Sequence, residues 1–348
     1  MQKRITSFIL LFSIILSSIF TCVACSQSQK NVAEHFEYFD TYCSLTVYSD
    51  EQSFSLLATE FNELLQSYHK LFDIYNLYDG IINLKALNDS AALSNVKVST
   101  ELFDALIYSK ELYSLTKGKF NVAIGALSSL WHNARIYSAT NPENAYIPSQ
   151  GEITEALFHT DINDLILDKE NQTVFFSDSK LSLDFGAIAK GYVSSIIYNR
   201  LIELDCDSFL INLGGNVIAY GEKPKNESWS IKIENPFNEA SKGYNDVIKL
   251  YDSTIVTSGS YQRYFTYNDK QYSHIIDSES GYPADIFSSI SIQAPADYSA
   301  LADALSTALF CMTYEDGLSL IERLEGVEAL WIFKDGSYKA TPSFGGAK

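Results

Sequence analysis

The alternation of apolar and polar residues predicts helices and strands in an irregular order along most of the chain. Apolar residues spaced three and four apart predict a helix through Leu57, Phe61, Leu64, Leu65, Tyr68 and Phe72. Two more helices are predicted, one capped by Thr100 and terminated by Gly118, the other over residues 190–204. Strand character is found at residues 39–48, 209–213, 229–233, 247–256 and 288–293. Because this order has no regular βαβ rhythm, the pattern predicts an α+β fold in a single large mixed domain.

The N-terminus has the pattern of an export signal. Lys3 and Arg4 precede an apolar run over residues 5–20, which is followed by Cys22-Val-Ala-Cys25 and a polar stretch. Ala24-Cys25 resembles a bacterial lipobox, so residues 1–24 are predicted to be a lipoprotein signal peptide and Cys25 the lipidation site. A plain signal peptide or a membrane anchor are the alternatives, although the run is shorter than the roughly 20 residues of a spanning helix.

This assignment predicts the layout of the remaining chain. Residues 25–36 form a lipidated tether, and residues 37–348 form the folded domain. The protein is expected at the cell membrane, lipid-anchored on the extracytoplasmic face. The other cysteines, Cys43, Cys206 and Cys311, are odd in number and scattered, so no disulfide framework is expected.

Charge excludes one class of partner. The formal net charge of −18 repels phosphate backbones, so nucleic-acid binding is not expected. An anionic cofactor would need a local positive site or a metal ion to bind such a protein.

The stretch 297–310 places oxygen-bearing side chains on a helix face that lacks Lys and Glu. Asp303 and Thr307 lie four residues apart and therefore share a face, with Ser306 beside them. A buried carboxylate needs a partner, and an oxygen-seeking cation is one possibility. Backbone N–H groups or a lysine are the alternative partners.

Residues 183–192 read as a strand end, a glycine turn and a helix start. The backbone N–H groups of such a helix N-terminus bind phosphate readily, and Lys190 adds a positive charge. Asp184 is a candidate acceptor for a ring N–H or a ribose hydroxyl. The alternative is a tight turn with a solvated lysine.

His274 stands at a strand end before the turn signal of residues 280–283, where it is a candidate general base. The alternative is a hydrogen-bonded structural histidine. Asp277, three residues on, is expected either to orient the ring or to cap the turn. Residues 118–125 read as a loop around an aromatic ligand or as core.

These motifs, in this order, resemble those of the ApbE family, the bacterial FAD:protein FMN transferases. The similar blocks lie at residues 39–41, 71–75 with 87–88, 118–125, 183–192, 212–215, 257–259, 273–277 with 281, and 301–307. The resemblance implies an ApbE-type, T-fold-like domain that uses FAD as its substrate with Mg²⁺.

The resemblance also implies roles for individual residues. Mg²⁺ would be held by Asp303, Thr307 and the backbone carbonyl of Ala187, with Ser306 as a possible fourth ligand, and His274 would be the catalytic residue. The residues expected to contact FAD are Phe39, Tyr75, Lys119, Phe120, Asn121, Asp184, Lys190 and Ile276.

The implied reaction transfers FMN to a Ser or Thr of an extracytoplasmic flavoprotein and releases AMP. Two alternatives remain open, namely a Mg²⁺-dependent FAD pyrophosphatase that uses water and a non-catalytic FAD-binding lipoprotein.

Overall fold

An antiparallel sheet of eight strands organises the chain. The computed structural model describes residues 29–237, 239 and 241–346. In pairing order the strands are β1 (Gln29–His35), β2 (Cys43–Ser49), β6 (Phe209–Leu213), β7 (Asn216–Tyr220), β10 (Ser253–Gly259), β13 (Phe287–Pro295), β14 (Glu328–Phe333) and β15 (Tyr338–Ala340). A three-stranded sheet contains β3 (Val96–Lys97), β5 (Thr173–Phe176) and β4 (Leu165–Asp168), in that order. Two hairpins complete the strands of the described chain, one of β8 (Trp229–Lys232) with β9 (Val247–Leu250) and one of β11 (Tyr264–Tyr267) with β12 (Lys270–Ser273).

Helices cover one face of the large sheet. The helices are α1 (Glu51–Phe72), α2 (Leu84–Ser90), α3 (Thr100–Leu115), α4 (Gly125–Thr140), α5 (Gln150–Leu157), α6 (Ala189–Glu203), α7 (Ser299–Phe310) and α8 (Tyr314–Ile321). Helix α6 packs between α1 and α7, and α7 lies against β10 and β13. The mixture of helices with an antiparallel sheet confirms the predicted α+β fold.

The central strands are apolar on both faces because both faces are buried. Along β14, Ala329 and Trp331 pack toward α7 and α8, whereas Leu330 and Ile332 pack toward the β8–β9 hairpin on the opposite face. A strand covered on both sides reads as a continuous hydrophobic run rather than an alternating one. The β8–β9 hairpin therefore gives the far face of the sheet its own small core.

Several predicted boundaries differ from those in the structure. Residues 25–36 were assigned to the tether, but residues 29–35 form β1 and pair with β2 in seven positions, so the fold begins before residue 37. The predicted strand 247–256 is two strands, because Asp252 adopts a positive φ of 41° in the turn between β9 and β10. The strand predicted from residue 39 starts only at Cys43, and Ser99, rather than Thr100, caps α3.

The signal peptide and Cys25 lie outside the described residues. Within the part of the chain that the structure covers, no helix is both long and apolar enough to cross a membrane. Cys43, Cys206 and Cys311 are free thiols, and two of them, Cys43 and Cys311, are buried.

Candidate active site

A cleft of about 810 Å³ opens where the loops flanking β1, α1, α4 and β10 meet the first turn of α6 and the middle of α7. Of the thirteen site residues predicted within the described chain, eleven line it. They are Phe39, Tyr75, Lys119, Asn121, Asp184, Ala187, Lys190, His274, Ile276, Asp303 and Thr307. Phe120 and Ser306 do not.

Asp303 forms part of the cleft floor and is 3 % exposed. Its Oδ2 accepts a hydrogen bond of 2.8 Å from the backbone N–H of Gly191, at the start of α6. Burial raises the pKa of Asp303, while the nearby charge of Lys190 and the Gly191 N–H oppose that rise. The backbone partner considered from the sequence is therefore present. It leaves room for a cation, because a carboxylate has about four lone-pair sites.

Gly191 is required where α6 approaches α7. A Cβ at this position would lie 2.4 Å from the carbonyl oxygen of Ser299 and 2.5 Å from the Cβ of Asp303. Both distances are far shorter than any real contact of a Cβ atom, so only glycine lets the helices come this close. The contact places the Gly191 N–H against the Asp303 carboxylate.

The donors around Asp303 fit a hard cation such as Mg²⁺. Thr307 lies one helical turn from Asp303 on the same face, and Ala187 lines the cleft in the loop before α6. A carboxylate, a hydroxyl and a backbone carbonyl are all oxygen donors of the kind that Mg²⁺ prefers. Among the described residues no group of three or more His, Cys, Asp or Glu side chains is placed to hold a metal, so such a site depends on the hydroxyl and the carbonyl.

Ser306 supports the floor from behind rather than facing the cleft. It is fully buried, and its hydroxyl donates to the carbonyl oxygen of Asp303 at 2.9 Å. The same hydroxyl is 2.7 Å from that of Ser258 on β10. These hydrogen bonds join α7 to the sheet, and a role of Ser306 as a fourth metal ligand stays a prediction.

The loop before α6 is held by carboxylates of the protein itself. Asp184 accepts a 2.8 Å bond from the Gly186 N–H and a 2.7 Å bond from the Ser128 hydroxyl. The N–H groups of Gly186 and Gly191 are thus both engaged. Phosphate binding through these two amides is not supported, and Lys190, which lines the cleft beside them, is the remaining candidate at this helix start.

His274 lies on the cleft wall in a defined orientation. Its Nδ1 is 3.1 Å from the carbonyl oxygen of Arg263, which also accepts the backbone N–H of His274 at 3.0 Å. Since a carbonyl only accepts, Nδ1 carries the proton, and Nε2 has the free lone pair. Asp277 does not orient the ring, because its carboxylate accepts from the N–H groups of Glu279 and Ser280 and caps the turn.

The surroundings of His274 keep its ring neutral. Many protein atoms lie around His274, although the residue is exposed to the solvent of the cleft. This desolvation, reinforced by the positive charge of Arg263, lowers the pKa of His274 to about 4. At neutral pH the ring is therefore an uncharged proton acceptor.

Aromatic side chains flank the cleft entrance. The Phe39 ring packs edge-on against His69, with centroids 5.5 Å apart, and the Tyr75 ring lies 5.9 Å from that of His132. Phe39 has a positive φ of 54°, which is uncommon for a non-glycine residue and turns the chain into the cleft. Tyr75 is 63 % exposed, so a flat ligand can reach its face.

The remaining predicted FAD contacts differ in availability. Lys119 pairs with Asp277 at 3.1 Å and with Glu279 at 2.7 Å, and Ile276 presents a buried apolar surface. The amide of Asn121 bonds to Ala123 and Thr160, which fixes the turn before α4. Phe120 is 1 % exposed and belongs to the main core, so its side chain does not line the cleft.

Two arginines and a histidine in the cleft have no counterpart among the predicted site residues. Arg135 and His132 extend from α4, and Arg263 lies in the loop between β10 and β11. His132 and Arg135 belong to no motif, whereas Arg263 stands in the segment that precedes His274. Only the fold brings the two arginines to one cavity, and they provide the local positive charge that an anionic ligand requires.

The comparisons with known proteins agree with this architecture. The sequence model of the ApbE family matches residues 39–331. A FAD:protein FMN transferase of Treponema pallidum is 32 % identical over 317 residues, covering 86 % of this chain and 84 % of that protein. Another, from Klebsiella pneumoniae, is 29 % identical, covering 84 % of this chain and 85 % of that protein.

Solved structures show the same fold. The crystal structure of the ApbE protein of Thermotoga maritima superposes with a TM-score of 0.79 at 28 % identity, covering 91 % of this chain and 98 % of that one. The Pseudomonas stutzeri flavinyl transferase ApbE gives a TM-score of 0.76 at 24 % identity, covering 92 % and 98 % of the two chains. With a family match that spans most of its length, the chain belongs to the ApbE family.

Proposed function

We propose that the protein is a Mg²⁺-dependent FAD:protein FMN transferase. It attaches FMN through a phosphoester bond to a Ser or Thr of an extracytoplasmic flavoprotein and releases AMP. The relatives named as FAD:protein FMN transferases support the reaction class. The observation that carries the proposal is one cleft with Asp303 and Thr307 on its floor and the unprotonated Nε2 of His274 on its wall.

Asp303, Thr307 and the carbonyl of Ala187 would hold the Mg²⁺ ion. When bound, Mg²⁺ neutralises charge on the FAD pyrophosphate and on the departing AMP. The Gly191 N–H fixes the Asp303 carboxylate, and Ser306 fixes the backbone of α7 beneath it. These contacts hold the oxygen donors in place before any ligand arrives.

In the proposed reaction, the acceptor hydroxyl oxygen forms a bond to the FMN phosphorus. The bond from that phosphorus to the oxygen of AMP breaks, and the hydroxyl proton passes to Nε2 of His274. The Arg263 carbonyl remains bonded to Nδ1–H and holds the ring. The negative charge of bound FAD raises the pKa of His274 from its low value in the free protein, which makes the ring a better base.

Water is the competing nucleophile, and FAD pyrophosphatase activity is the second candidate. The exposed side of His274 favours it, because solvent reaches the position where the acceptor hydroxyl must bind. Incubating the protein with FAD, Mg²⁺ and a candidate acceptor distinguishes FMN transfer from FAD hydrolysis. Flavin fluorescence on the acceptor band in a denaturing gel, with AMP in solution, supports transfer, and free FMN supports hydrolysis. FAD that stays intact with Mg²⁺ present would leave only a flavin-binding role.

We also propose that the protein is lipid-anchored at Cys25 on the extracytoplasmic face of the membrane. The proposal rests on the sequence pattern of the first 25 residues. Cys25→Ser is expected to abolish metabolic labelling with palmitate. Cys206→Ser is the matched control, since Cys206 is a free, partly exposed thiol of the folded domain. Equal labelling of the Cys25→Ser protein would contradict the assignment.

A further inference from the structure

Among the residues that the structure describes, two arginines in the cleft have no carboxylate in ion-pair distance, although the protein carries 43 acidic residues against 25 basic ones. The described chain has four arginines, and of these only Arg200 forms ion pairs, with Glu60 and Glu203. Within the described residues, no carboxylate lies within 4.0 Å of Arg135 or Arg263. In so acidic a protein, an arginine without a carboxylate partner inside a cavity indicates a site for an anion from solution.

Each of the two guanidinium groups is held by a neutral acceptor. Nη2 of Arg135 is 3.2 Å from Nδ1 of His132, and Nη2 of Arg263 donates to the carbonyl oxygen of Asp40 at 3.3 Å. A guanidinium has five N–H donors. Among the described residues the hydrogen bonds found for these two groups use Nη2 alone, so donors remain for a ligand.

The positive charge of one arginine affects the pKa of the other, and both charges affect the pKa of His274. Partial burial, together with the charge of Arg263, lowers the pKa of Arg135. The charges of Arg263, Lys190 and Arg135 all act on His274. Like charges that share one cleft repel one another, and an anion bound beside them would reduce that repulsion.

We propose that Arg135 and Arg263 form a phosphate-binding pair that takes a phosphate group of the dinucleotide substrate, in addition to the oxygen donors at Asp303 and Thr307. This inference rests on the proposed function. Planar guanidinium groups bind phosphate oxygens in a bidentate fashion, which a lysine cannot reproduce. Both arginines line the same cleft as His274, beside which the phosphorus must lie in the proposed reaction, and this favours a phosphate over a carboxylate of the acceptor.

The test compares ligands that differ only in one phosphate. Calorimetry in the presence of Mg²⁺ measures the binding of AMP against adenosine and of FMN against riboflavin. The proteins are wild type, Arg135→Gln, Arg263→Gln and Arg323→Gln. Arg323 is exposed outside the cleft and bonds to the Ser319 carbonyl, so its substitution matches the change in charge and size. The midpoint of thermal unfolding confirms that each variant is folded.

We expect both cleft variants to weaken binding of AMP, of FMN or of both by about tenfold or more, the loss typical of a charge-assisted bond. Adenosine and riboflavin binding should stay within twofold of wild type, and Arg323→Gln should match wild type throughout. The nucleotide affected identifies which phosphate the pair holds. Arg135→Lys is expected to recover only part of the affinity.

Other results would overturn the proposal. AMP and FMN affinities equal to those of Arg323→Gln would show that the pair binds no phosphate. If FMN transfer nevertheless slowed in those variants, the arginines would serve the acceptor protein instead. An equal loss for adenosine and AMP would indicate a change in shape rather than a lost phosphate contact. None of the binding measurements requires turnover, so they remain informative if the transferase proposal itself fails.

Discussion

Gly191→Ala tests whether the close approach of α6 and α7 shapes the cleft floor. The added Cβ would lie 2.4 Å from the Ser299 carbonyl oxygen, where ordinary contact begins at 3.4 Å. The helices must therefore separate by about 1 Å, and the obstacle is backbone, which cannot rotate away. Ten of the twelve residues of α7 are buried, so that helix has little room to move.

The expected cost follows from these contacts. Overpacking of this kind destabilises by about 1–3 kcal/mol, and a backbone obstacle puts this site near the upper end. Alanine regains about 1 kcal/mol of helix propensity over glycine, which leaves a net loss of about 2 kcal/mol. Because Asp303 moves with α7, Mg²⁺-dependent FMN transfer should fall as well.

Gly151→Ala is the matched control. Gly151 lies in the first turn of α5, and a Cβ there would meet nothing within 4 Å. Its substitution should therefore be neutral or stabilise by up to about 1 kcal/mol. Urea denaturation of both variants gives the difference in the free energy of unfolding, expected at about 2–3 kcal/mol from these two estimates. Equal stability of the two variants would refute the account of the helix contact.

Four further predictions concern three ionisable side chains. His274→Gln should keep FAD affinity, measured by flavin fluorescence, while FMN transfer falls by about 10²–10⁴-fold, the usual contribution of a general base; unchanged transfer would remove His274 from the mechanism. Since the pKa of His274 is lowered to about 4 in the free protein, the ring is neutral from pH 5 to 7, and kcat/KM for FAD should show no acid limb near pH 6.5. Asp303→Asn should abolish Mg²⁺-dependent FMN transfer. Transfer by this variant that Mg²⁺ supports and a chelator removes would contradict the metal assignment. The His159 ring donates a hydrogen bond to the Asp178 carboxylate, which raises the pKa of His159. This pair therefore stabilises the fold fully below the unfolded pKa of about 6.5 and loses its effect as pH rises through the folded pKa. His159→Gln should destabilise more at pH 5.5 than at pH 8.5 in urea titrations, and the opposite order would disprove the sign.

The sequence predicted the cleft floor because helix periodicity alone determines which side chains share a face. The spacing of Asp303 and Thr307, with small and aromatic neighbours, predicted a buried carboxylate, and its burial is confirmed. The same reasoning does not predict the contacts of Ser306. Adjacency to Asp303 in the sequence does not reveal that its hydroxyl bonds to the carbonyl three residues earlier and to a serine on β10.

Other features depend on long-range contacts that no local pattern encodes. Strand β1 is polar, so its composition resembles a tether, and its conformation is determined by pairing with β2. Phe120 lies next to cleft residues in the sequence, but its ring points into the core. Arg135 is an ordinary helical arginine until the loop carrying Arg263 meets it, 128 positions further along the chain.

The pairing of β1 with β2 has a mechanical consequence for a protein pulled from its N-terminus. The chain passes from β1 through residues 36–42, which include the cleft residues Phe39, Asp40 and Thr41, into β2. A force applied ahead of Gln29 reaches the Gln29–Ser49 pair first and must open six successive pairs before it reaches the seventh, His35–Cys43. The paired strand β1 therefore bears such a force at the sheet edge, and its pairs with β2 must separate before the cleft residues at positions 39–41 are displaced.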